Sequence, residues 1–461
     1  MRVCLLNDSF APAIDGVVNV VTNYANHLMN DHGAEVMVGT PRYPGADYSV
    51  YPYPVVPYQS FDTSAIASGY RAGNPFEPKA LDELSRFWPD IIHTHCPATA
   101  TMMARVLREQ TGAPVIFTYH TKFDVDINRV VKLKPIADEG IRVMIESIEA
   151  CDDIWVVSKG AGENLKMLGF KGDYTVMPNG VDFEKGRVAP EAVAEATKGA
   201  DLPEGVPVFL FVGRMMTYKG LPLILDALRM LEEAGQDFRM VFIGKGPDQK
   251  LMEEKAEALG IRERCIFTGP IYDRDVLRAW NTRADLFLFP STFDTNGLVV
   301  REAAACGLAS VLIKDSCAAE GIVDDHNGFL IEESAGSMAA LLKKVSGDLP
   351  HLHEVGAHAM DEIYMSWRDC VSMAYDRYRY VLEQKKEGML IRKKLPADYL
   401  YEQAAKRIAE QNKLRRLGEE LLGNFTETAA GMLENMQESG EKIDQLFQKA
   451  ADQIMPDDFF R

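Results

Sequence analysis

The sequence lacks the signatures of several large classes of protein. Its 461 residues carry a formal net charge of −18, whereas nonspecific nucleic-acid binding needs a basic surface. No segment approaches 18 uninterrupted apolar residues, and only four apolar residues separate Arg2 from Asn7, too few for the core of a signal peptide. We therefore expect no nucleic-acid partner, no membrane-spanning segment and a cytoplasmic location, with attachment to the inner face of a membrane left open.

Cysteine is scarce and scattered. The seven cysteines form no C-x2-C pair, so the sequence predicts neither a zinc site nor a disulfide framework. Unpaired cysteines fit a reducing compartment, which agrees with the cytoplasmic location.

Short β-branched runs alternate with amphipathic helical stretches over most of the chain. This alternation, without the even spacing of hairpins, predicts an α/β protein whose parallel sheets carry helices on both faces. The predicted strands are 3–6, 35–38, 91–94, 115–118, 154–157, 174–177, 208–212, 240–243, 265–268, 286–289 and 310–313.

A break in this pattern divides the chain. Asn179-Gly180 is a turn signal, and a polar stretch follows it until a new strand begins near Pro207. We predict one Rossmann-like domain over residues 1–180 and a second over 181–365, both of ordinary size. A helix over 366–384 either packs on the second domain or crosses back to the first, and residues 385–461 form a helical extension.

One predicted strand end carries two cations. Strand 208–212 runs into a loop that contains Arg214 and Lys219, at the edge where α/β folds bind ligands. An Arg and a Lys in one loop can neutralise an anionic group. Two solvated surface cations would give the same pattern.

The strand predicted at 286–289 leads into a helix start. Gly297 would open a helix whose first amides, at Leu298 and Val299, can face a phosphate. Glu302 lies one turn further along, among small apolar residues. A carboxylate there is costly unless it is bonded, either to ligand hydroxyls such as a ribose diol or within an internal ion pair.

Jointly and in this order, these motifs resemble the family-4 glycosyltransferases of the GT-B fold. The family's Gly-Arg-x4-Lys-Gly loop is matched at 213–220, and its Glu-x7-Glu motif is matched from Asp294 to Glu302. Asn-Gly-Val-Asp at 179–182 and Gly-x-Gly-Pro at 244–247 match two more motifs. The resemblance covers roughly residues 1–382. It implies an acceptor domain and a nucleotide-sugar domain whose sheets face a central cleft.

The resemblance implies how the phosphates of a nucleotide-sugar donor are bound. Arg214 and Lys219 would neutralise the diphosphate. The amides of Leu298 and Val299, which follow Gly297, would bind phosphate. No cofactor and no metal are expected, because the nucleotide-sugar is a substrate and cations are already available.

The resemblance also implies how the rest of the donor is held. Glu302 would bind the ribose, and Gly16, after the first strand, would let the backbone approach the donor phosphate. His120 would contact the hexose near the reacting carbon and Asp294 would bind its hydroxyls, so these two are the catalytic candidates. Asp294 stands where the family usually has Glu, which shortens the carboxylate by about one methylene and leaves a UDP-glucose or a GDP-mannose type of donor undetermined.

Several alternatives remain beside this interpretation. Asp124-Val-Asp126 has the form of a metal-binding D-x-D, and Gly244-Lys-Gly246 lacks the third glycine of a dinucleotide site because Gln249 stands there.

The resemblance implies a reaction that retains the anomeric configuration. Because the sequence shows no convincing pair of carboxylates for double displacement, we expect the front-face route that is proposed for the family. The rival function is a non-catalytic nucleotide-sugar-binding or scaffold protein.

The acceptor and the tail are related questions. Cations and apolar residues alternate over 128–134, as in bacterial relatives that glycosylate diacylglycerol, so a membrane lipid and an ordinary acceptor are both open. Residues 385–416 hold ten basic and four acidic residues, whereas residues 417–461 hold three and ten. An apolar stripe is predicted at Leu400, Ala404, Ile408, Leu414 and Leu417, and another helical stripe is predicted at Phe425, Ala429, Met432, Met436, Ile443, Phe447 and Ile454. These helices would contact an anionic membrane, pair with each other or form a homo-oligomer.

Overall fold

Two parallel sheets form the framework of the protein. The structure, a computed structural model, describes residues 1–13, 15–63, 71–131, 133–390, 392 and 394–435. Its strands are β1 (Arg2–Leu6), β2 (Glu35–Pro41), β3 (Val55–Tyr58), β4 (Ser60–Asp62), β5 (Arg71–Gly73), β6 (Ile91–Thr94), β7 (Val115–Tyr119), β8 (Asp153–Val156), β9 (Thr175–Val176), β10 (Val208–Val212), β11 (Arg239–Ile243), β12 (Cys265–Gly269), β13 (Leu286–Phe289), β14 (Ser310–Ile313) and β15 (Phe329–Ile331). Its α-helices are α1 (Gly16–His32), α2 (Pro78–Arg86), α3 (Thr99–Thr111), α4 (Phe123–Val130), α5 (Lys134–Glu149), α6 (Lys159–Met167), α7 (Pro190–Ala196), α8 (Leu221–Glu233), α9 (Gln249–Ala258), α10 (Arg274–Arg283), α11 (Leu298–Ala305), α12 (Ala335–Val345), α13 (Leu349–Glu362), α14 (Trp367–Lys386) and α15 (Asp398–Asn435).

The first sheet has the order β3-β2-β1-β6-β7-β8-β9, and all of its pairs are parallel. Alternate residues of β1 point to opposite faces, as the pleat requires. Val3 and Leu5 pack toward α1 and α14, whereas Cys4 and Leu6 pack toward α2, α3 and α15. This double coverage explains why the strands read as continuous apolar runs.

The second sheet has the order β12-β11-β10-β13-β14-β15 and is also parallel. Its buried strands form one apolar core with helices that include α8 and α12. The predicted α/β architecture of two parallel sheets is confirmed.

The chain passes between the two sheets twice, at adjacent points. Val181 donates its amide to the carbonyl of Met365 at 3.0 Å and forms a bridge with Ser366. A Cβ on Gly180 would lie 2.4 Å from the backbone nitrogen of Trp367, so only glycine fits this crossing. From there α14 returns to the first sheet and packs on α1, which is the crossing alternative for the helix predicted at 366–384.

Two of the strands that the sequence analysis missed, β3 and β15, were missed for different reasons. β3 contains Pro57 and follows Pro54, and proline is typical of sheet edges, so the run did not resemble a strand. β15 has three residues, too few for a period to show.

Each sheet together with the helices that cover it is called a unit. Helix α15 packs on the first unit, against α2 and α3. Asp398 accepts a hydrogen bond from Arg105 at 2.8 Å with both side chains almost fully buried, and the Arg105 guanidinium lies 3.8 Å from the ring centroid of Tyr401. Arg392 pairs with Glu109 at 2.6 Å. Part of the basic stretch is therefore neutralised by acids of the first unit.

The apolar stripe predicted for this tail is confirmed at Ile408 and wrong at its three leucines. The buried face of α15 consists of Tyr401, Ala405 and Ile408, whereas Leu400, Leu414 and Leu417 are exposed. The side chains of Phe425, Ala429 and Met432, and residues from Met436 onward, lie outside the described residues. Within the described part, no helix is both long and apolar enough to cross a membrane.

Candidate functional site

A cleft of about 300 Å³ lies between the carboxyl ends of strands from both sheets. It is lined by Asp15, Gly16, Val17, Val20, His120, Thr121, Asn179, Val212, Gly213, Lys219, Phe289, Asp294, Thr295, Asn296, Gly297, Leu298 and Val299. Seven of the nine residues predicted from the sequence therefore lie together. Arg214 and Glu302 are the two that do not line the cleft.

Lys219 and Asp294 form the charged centre of the cleft. The ammonium of Lys219 donates to Asp294 Oδ1 at 2.5 Å, and Asp294 Oδ2 accepts from the Ser291 hydroxyl at 2.6 Å. Both charged side chains are mostly buried. The turn that carries Lys219 ends at Gly220, where φ is 79° and a Cβ would lie 2.4 Å from the carbonyl oxygen of Pro290.

Two helices begin at the cleft, and only one has a charged cap. At α1, the Asp15 carboxylate accepts from the amides of Val17 and Val18, both at 2.8 Å. At α11, the N-cap is Gly297 at φ 60°, and no side chain within the described residues caps the helix. The α11 terminus is therefore open to an anion, whereas the α1 terminus already holds one.

His120 lies at the end of β7 in the wall of the cleft. Burial lowers its pKa to about 3, so the imidazole is neutral at physiological pH. Its Nε2 lies 3.0 Å from Nδ1 of His95, and its carbonyl oxygen accepts from the hydroxyl of Thr295 at 2.6 Å. His95 belongs to the first sheet's side of the cleft, whereas Thr295 belongs to the loop that carries Asp294.

That loop and the segment after β14 are hydrogen-bonded to the first unit at several points. The Ser158 hydroxyl donates to the carbonyl of Thr295 at 2.5 Å, and the Asn296 amide donates to the carbonyl of Val157 at 2.6 Å. Glu320 accepts from the amides of Lys159 and Gly160 at 2.8 and 2.6 Å, at the start of α6. The two halves of the cleft are thus joined by hydrogen bonds beside Asp294.

Two family models match this architecture in order. Residues 14–185 match the model of Glycosyltransferase Family 4, and residues 193–360 match that of Glycosyl transferases group 1. The chain is a family-4 glycosyltransferase of the GT-B fold. Its reaction is the transfer of a sugar from a nucleotide-sugar.

Sequence relatives of this glycosyltransferase include two proteins with the same name. Alpha-monoglucosyldiacylglycerol synthase of Streptococcus pneumoniae is 25% identical over 316 residues, which cover 67% of this chain and 70% of the relative. The protein of that name from Acholeplasma laidlawii is 23% identical over 399 residues, which cover 80% and 98%. A D-inositol 3-phosphate glycosyltransferase of Xylanimonas cellulosilytica is 27% identical over 292 residues, which cover 60% and 68%.

Solved structures share the fold. Sucrose-phosphate synthase from Thermosynechococcus elongatus superimposes with a TM-score of 0.65 at 19% identity, covering 83% of this glycosyltransferase and 99% of that chain. Anabaena Alr3699/HepE in complex with UDP-glucose gives a TM-score of 0.62 at 17% identity, covering 83% and 100%.

Glu302 of the glycosyltransferase is held in an ion pair. Its Oε1 accepts from Arg274 at 2.6 Å, which is the internal pairing that the sequence left open. Burial raises the pKa of Glu302, the Arg274 guanidinium opposes this, and Asp182 adds to it. Arg214, in turn, is exposed next to the cleft residue Gly213. Neither predicted residue lines the cleft, although each follows a lining residue, Gly213 or Val299, within three positions.

Some residues of the site were not found from the sequence. Asp15 directly precedes Gly16, the first residue of α1. An Asp before a helix is an ordinary N-cap signal, so the sequence alone could have identified this residue. Thr295 and Ser158 gain their role only when the two units meet, so no local pattern marks them. The Asp124-Val-Asp126 alternative cannot be placed as a pair, because the side chain of Asp126 lies outside the described residues.

Proposed function

We propose that this glycosyltransferase transfers a hexose from a UDP-glucose or GDP-mannose type of donor, with retention and without a metal ion, to a membrane lipid such as diacylglycerol. The observation that carries the donor part is the open N-terminus of α11 beside Lys219 in one cleft. An uncapped helix start and a buried ammonium are the groups that stabilise a leaving diphosphate.

The proposed reaction follows from this charge distribution. The bond between the anomeric carbon and the phosphate oxygen breaks, and its electron pair leaves with the diphosphate. The acceptor hydroxyl attacks the same face and passes its proton to the departing phosphate. Lys219, with Arg214 at the margin, balances the developing charge, so we expect Lys219 to exchange Asp294 for the diphosphate when the donor binds.

The remaining residues would orient the donor. Asp294, once released by Lys219, would accept hydrogen bonds from the sugar hydroxyls, and His120 would bond to a hydroxyl near the reacting carbon. Glu302 would accept from the ribose diol while Arg274 keeps it ionised. Gly16 leaves space for the donor phosphate, since a Cβ built there meets no described atom within 4 Å apart from its chain neighbours and its own helix backbone.

The lipid acceptor is supported by two observations. Two relatives are named for a glucosylated diacylglycerol. At the start of α5, shortly after the His120 loop, Leu133 and Ile136 expose large apolar side chains on either side of Lys134. Apolar and basic residues together suit the surface of an anionic bilayer. The Arg129 side chain and Lys132, which the sequence analysis also counted here, lie outside the described residues.

The proposal is tested with purified protein, radiolabelled UDP-glucose or GDP-mannose, and diacylglycerol vesicles, with and without EDTA. Chromatography and mass spectrometry identify the product and its anomeric form. Transfer into the lipid fraction that resists EDTA supports every part. Donor hydrolysis without glycolipid would overturn the acceptor, sensitivity to EDTA would overturn metal independence, and donor binding without turnover would favour the non-catalytic alternative.

Lys219→Gln tests the diphosphate role directly. We expect kcat to fall by about 10²- to 10³-fold, the usual cost of removing one preorganised charge-stabilising group. Lys250→Gln, at an exposed lysine of α9, is the matched control and should leave kcat unchanged. Equal rates for the two variants would remove Lys219 from the reaction.

A further inference from the structure

A second buried histidine, His95, lies behind His120 and has no role in the proposed reaction. His95 follows β6, and its Nδ1 lies 3.0 Å from Nε2 of His120. The two rings are nearly parallel, with centroids 5.2 Å apart. His95 is also enclosed by the rings of Tyr24 and His93, whereas His120 lines the cleft.

One hydrogen lies between the two imidazoles, on the line from His95 Nδ1 to His120 Nε2. Burial lowers the pKa of both groups, so each ring is neutral and carries a single N–H. One ring must therefore donate across the 3.0 Å contact and the other must accept. Two arrangements are possible, and they differ in which outer nitrogen keeps a hydrogen.

The outer nitrogens decide between these arrangements. Neither Nε2 of His95 nor Nδ1 of His120 has a hydrogen-bond partner among the described residues. If His120 donated, His95 would keep an N–H deep in the core, and orphaned buried N–H groups are rarer than bare acceptors. If His95 donates, the unsatisfied N–H falls on His120, whose ring lines the cleft. Its Nδ1 is covered in the ligand-free protein, so a ligand oxygen accepts this hydrogen once the cleft wall shifts on binding.

We infer that His95 is a positioning residue that donates its Nδ1–H to His120 Nε2, so that His120 offers Nδ1–H to an oxygen of the bound sugar donor. The inference rests on the proposed function for the identity of that oxygen. A hydrogen bond to one ring nitrogen fixes the orientation of a histidine and decides which nitrogen carries its hydrogen, so the bond from His95 would hold His120 in one tautomer. Thr295 holds the backbone of the same residue, so both the chain and the ring of His120 are fixed.

The tautomer is measured on the ligand-free protein labelled with ¹⁵N-histidine. Long-range ¹H–¹⁵N correlation separates protonated from bare ring nitrogens, and the His120→Gln spectrum assigns the His120 signals. We expect His120 to carry its proton on Nδ1. A proton on Nε2 would overturn the inference, and this result does not depend on whether any sugar is transferred.

Two variants of similar shape test the consequence for the reaction. The side-chain amide of His95→Asn can still donate toward His120, whereas His95→Leu cannot. We expect His95→Leu to lower kcat by about 10- to 100-fold with a smaller change in KM for the donor, and His95→Asn to stay within a few-fold of the natural protein. Equal losses in both variants, or no loss in either, would overturn the positioning role.

A core control separates positioning from loss of stability. Tyr378→Phe removes the hydroxyl that lies 2.6 Å from Nδ1 of His93, one step further from the cleft. We expect this variant to lower the melting temperature without lowering kcat, and a loss of kcat equal to that of His95→Leu would assign both effects to the core. If the natural protein turns over no nucleotide-sugar, the proposed function fails while the tautomer measurement still decides this inference.

Discussion

At the scale of single residues, burial controls the charge of the histidines around the cleft. The pKa values of His93, His95 and His120 are all lowered, chiefly by burial. Between about pH 6.5 and the folded-state pKa values, the unfolded chain therefore binds more protons than the folded protein. Folding loses stability as the pH falls through this range, by up to about 1.4 kcal/mol per pH unit for each histidine.

His93→Gln tests this pH dependence. The free energy of unfolding is measured by urea denaturation between pH 7 and pH 5 in both proteins. We expect the variant to be less stable at pH 7, because Tyr378 and Thr118 lose a partner, but to lose stability less steeply as the pH falls. Parallel curves would show that His93 is not held neutral by burial.

Residue types in the loops were predictable, but their partners were not. Lys219, Gly297 and His120 were found because each follows a strand that the apolar pattern marks clearly. The Lys219–Asp294 pair joins two loops and the Arg274–Glu302 pair joins helices α10 and α11, and in both pairs the partners are distant in sequence, so only the folded structure shows them. No pattern in the sequence connects His95 with His120, because each is a histidine that follows a predicted strand and such residues are common.

At the scale of elements, Asp398 ties the start of α15 to α3 through buried ion pairs with Arg105 and Arg108. Arg105 and Asp398 have almost no exposure, and removing one partner of such a pair leaves an uncompensated buried charge. We expect Asp398→Asn to lower the free energy of unfolding by about 3–5 kcal/mol and to open residues 398–416 to limited proteolysis. Glu410→Gln, at an exposed position of the same helix, should change neither property.

A second prediction concerns the start of α6. The Glu320 carboxylate accepts two amide bonds there and so joins the second unit to the first. Charge-assisted bonds of this kind are strong, and a loss of one or two kcal/mol is a factor of about 5–30. We expect Glu320→Ala to lower kcat/KM for the donor by that factor, because the cleft is less firmly closed.

The matched variant for Glu320 is Glu257→Ala, at an exposed acid of α9. It should leave kcat/KM unchanged. A melting temperature that falls in Glu320→Ala with no change in kcat/KM would assign Glu320 to stability alone and would contradict the coupling between α6 and the cleft.

At the scale of the whole molecule, the two chain crossings form one narrow joint. A Cβ at residue 180 would lie 2.4–2.6 Å from the backbone of Ser366 and Trp367, which cannot move without shifting α14 on α1. We expect Gly180→Ala to cost about 1–3 kcal/mol of unfolding free energy, as overpacking does, and to raise KM for the donor by changing how the units meet. Gly336→Ala, where a Cβ meets no atom within 4 Å, is the control.

The architecture was predictable at this scale because parallel strands buried on both faces leave strong apolar runs. The path of α14 was not, since its apolar residues fit a helix on either unit equally well. Trp367, Cys370 and Tyr378 settle the matter by filling the core beneath β1 and β6. The tail was the weakest prediction because the apolar pattern did not separate Leu400 and Leu414, which lie on the exposed side of α15, from the residues on its buried side.

The bridge between Val181 and Ser366 has a topological consequence. Residues 181–365 enter and leave the first unit at neighbouring points, so the second unit is an insertion within a discontinuous first unit. The two ends of the second unit could be joined by a short linker and its chain opened at another loop, which would give a circular permutant with the same sheet. The first unit could be closed in the same way, by joining residue 180 to residue 366 across the gap that the excision leaves.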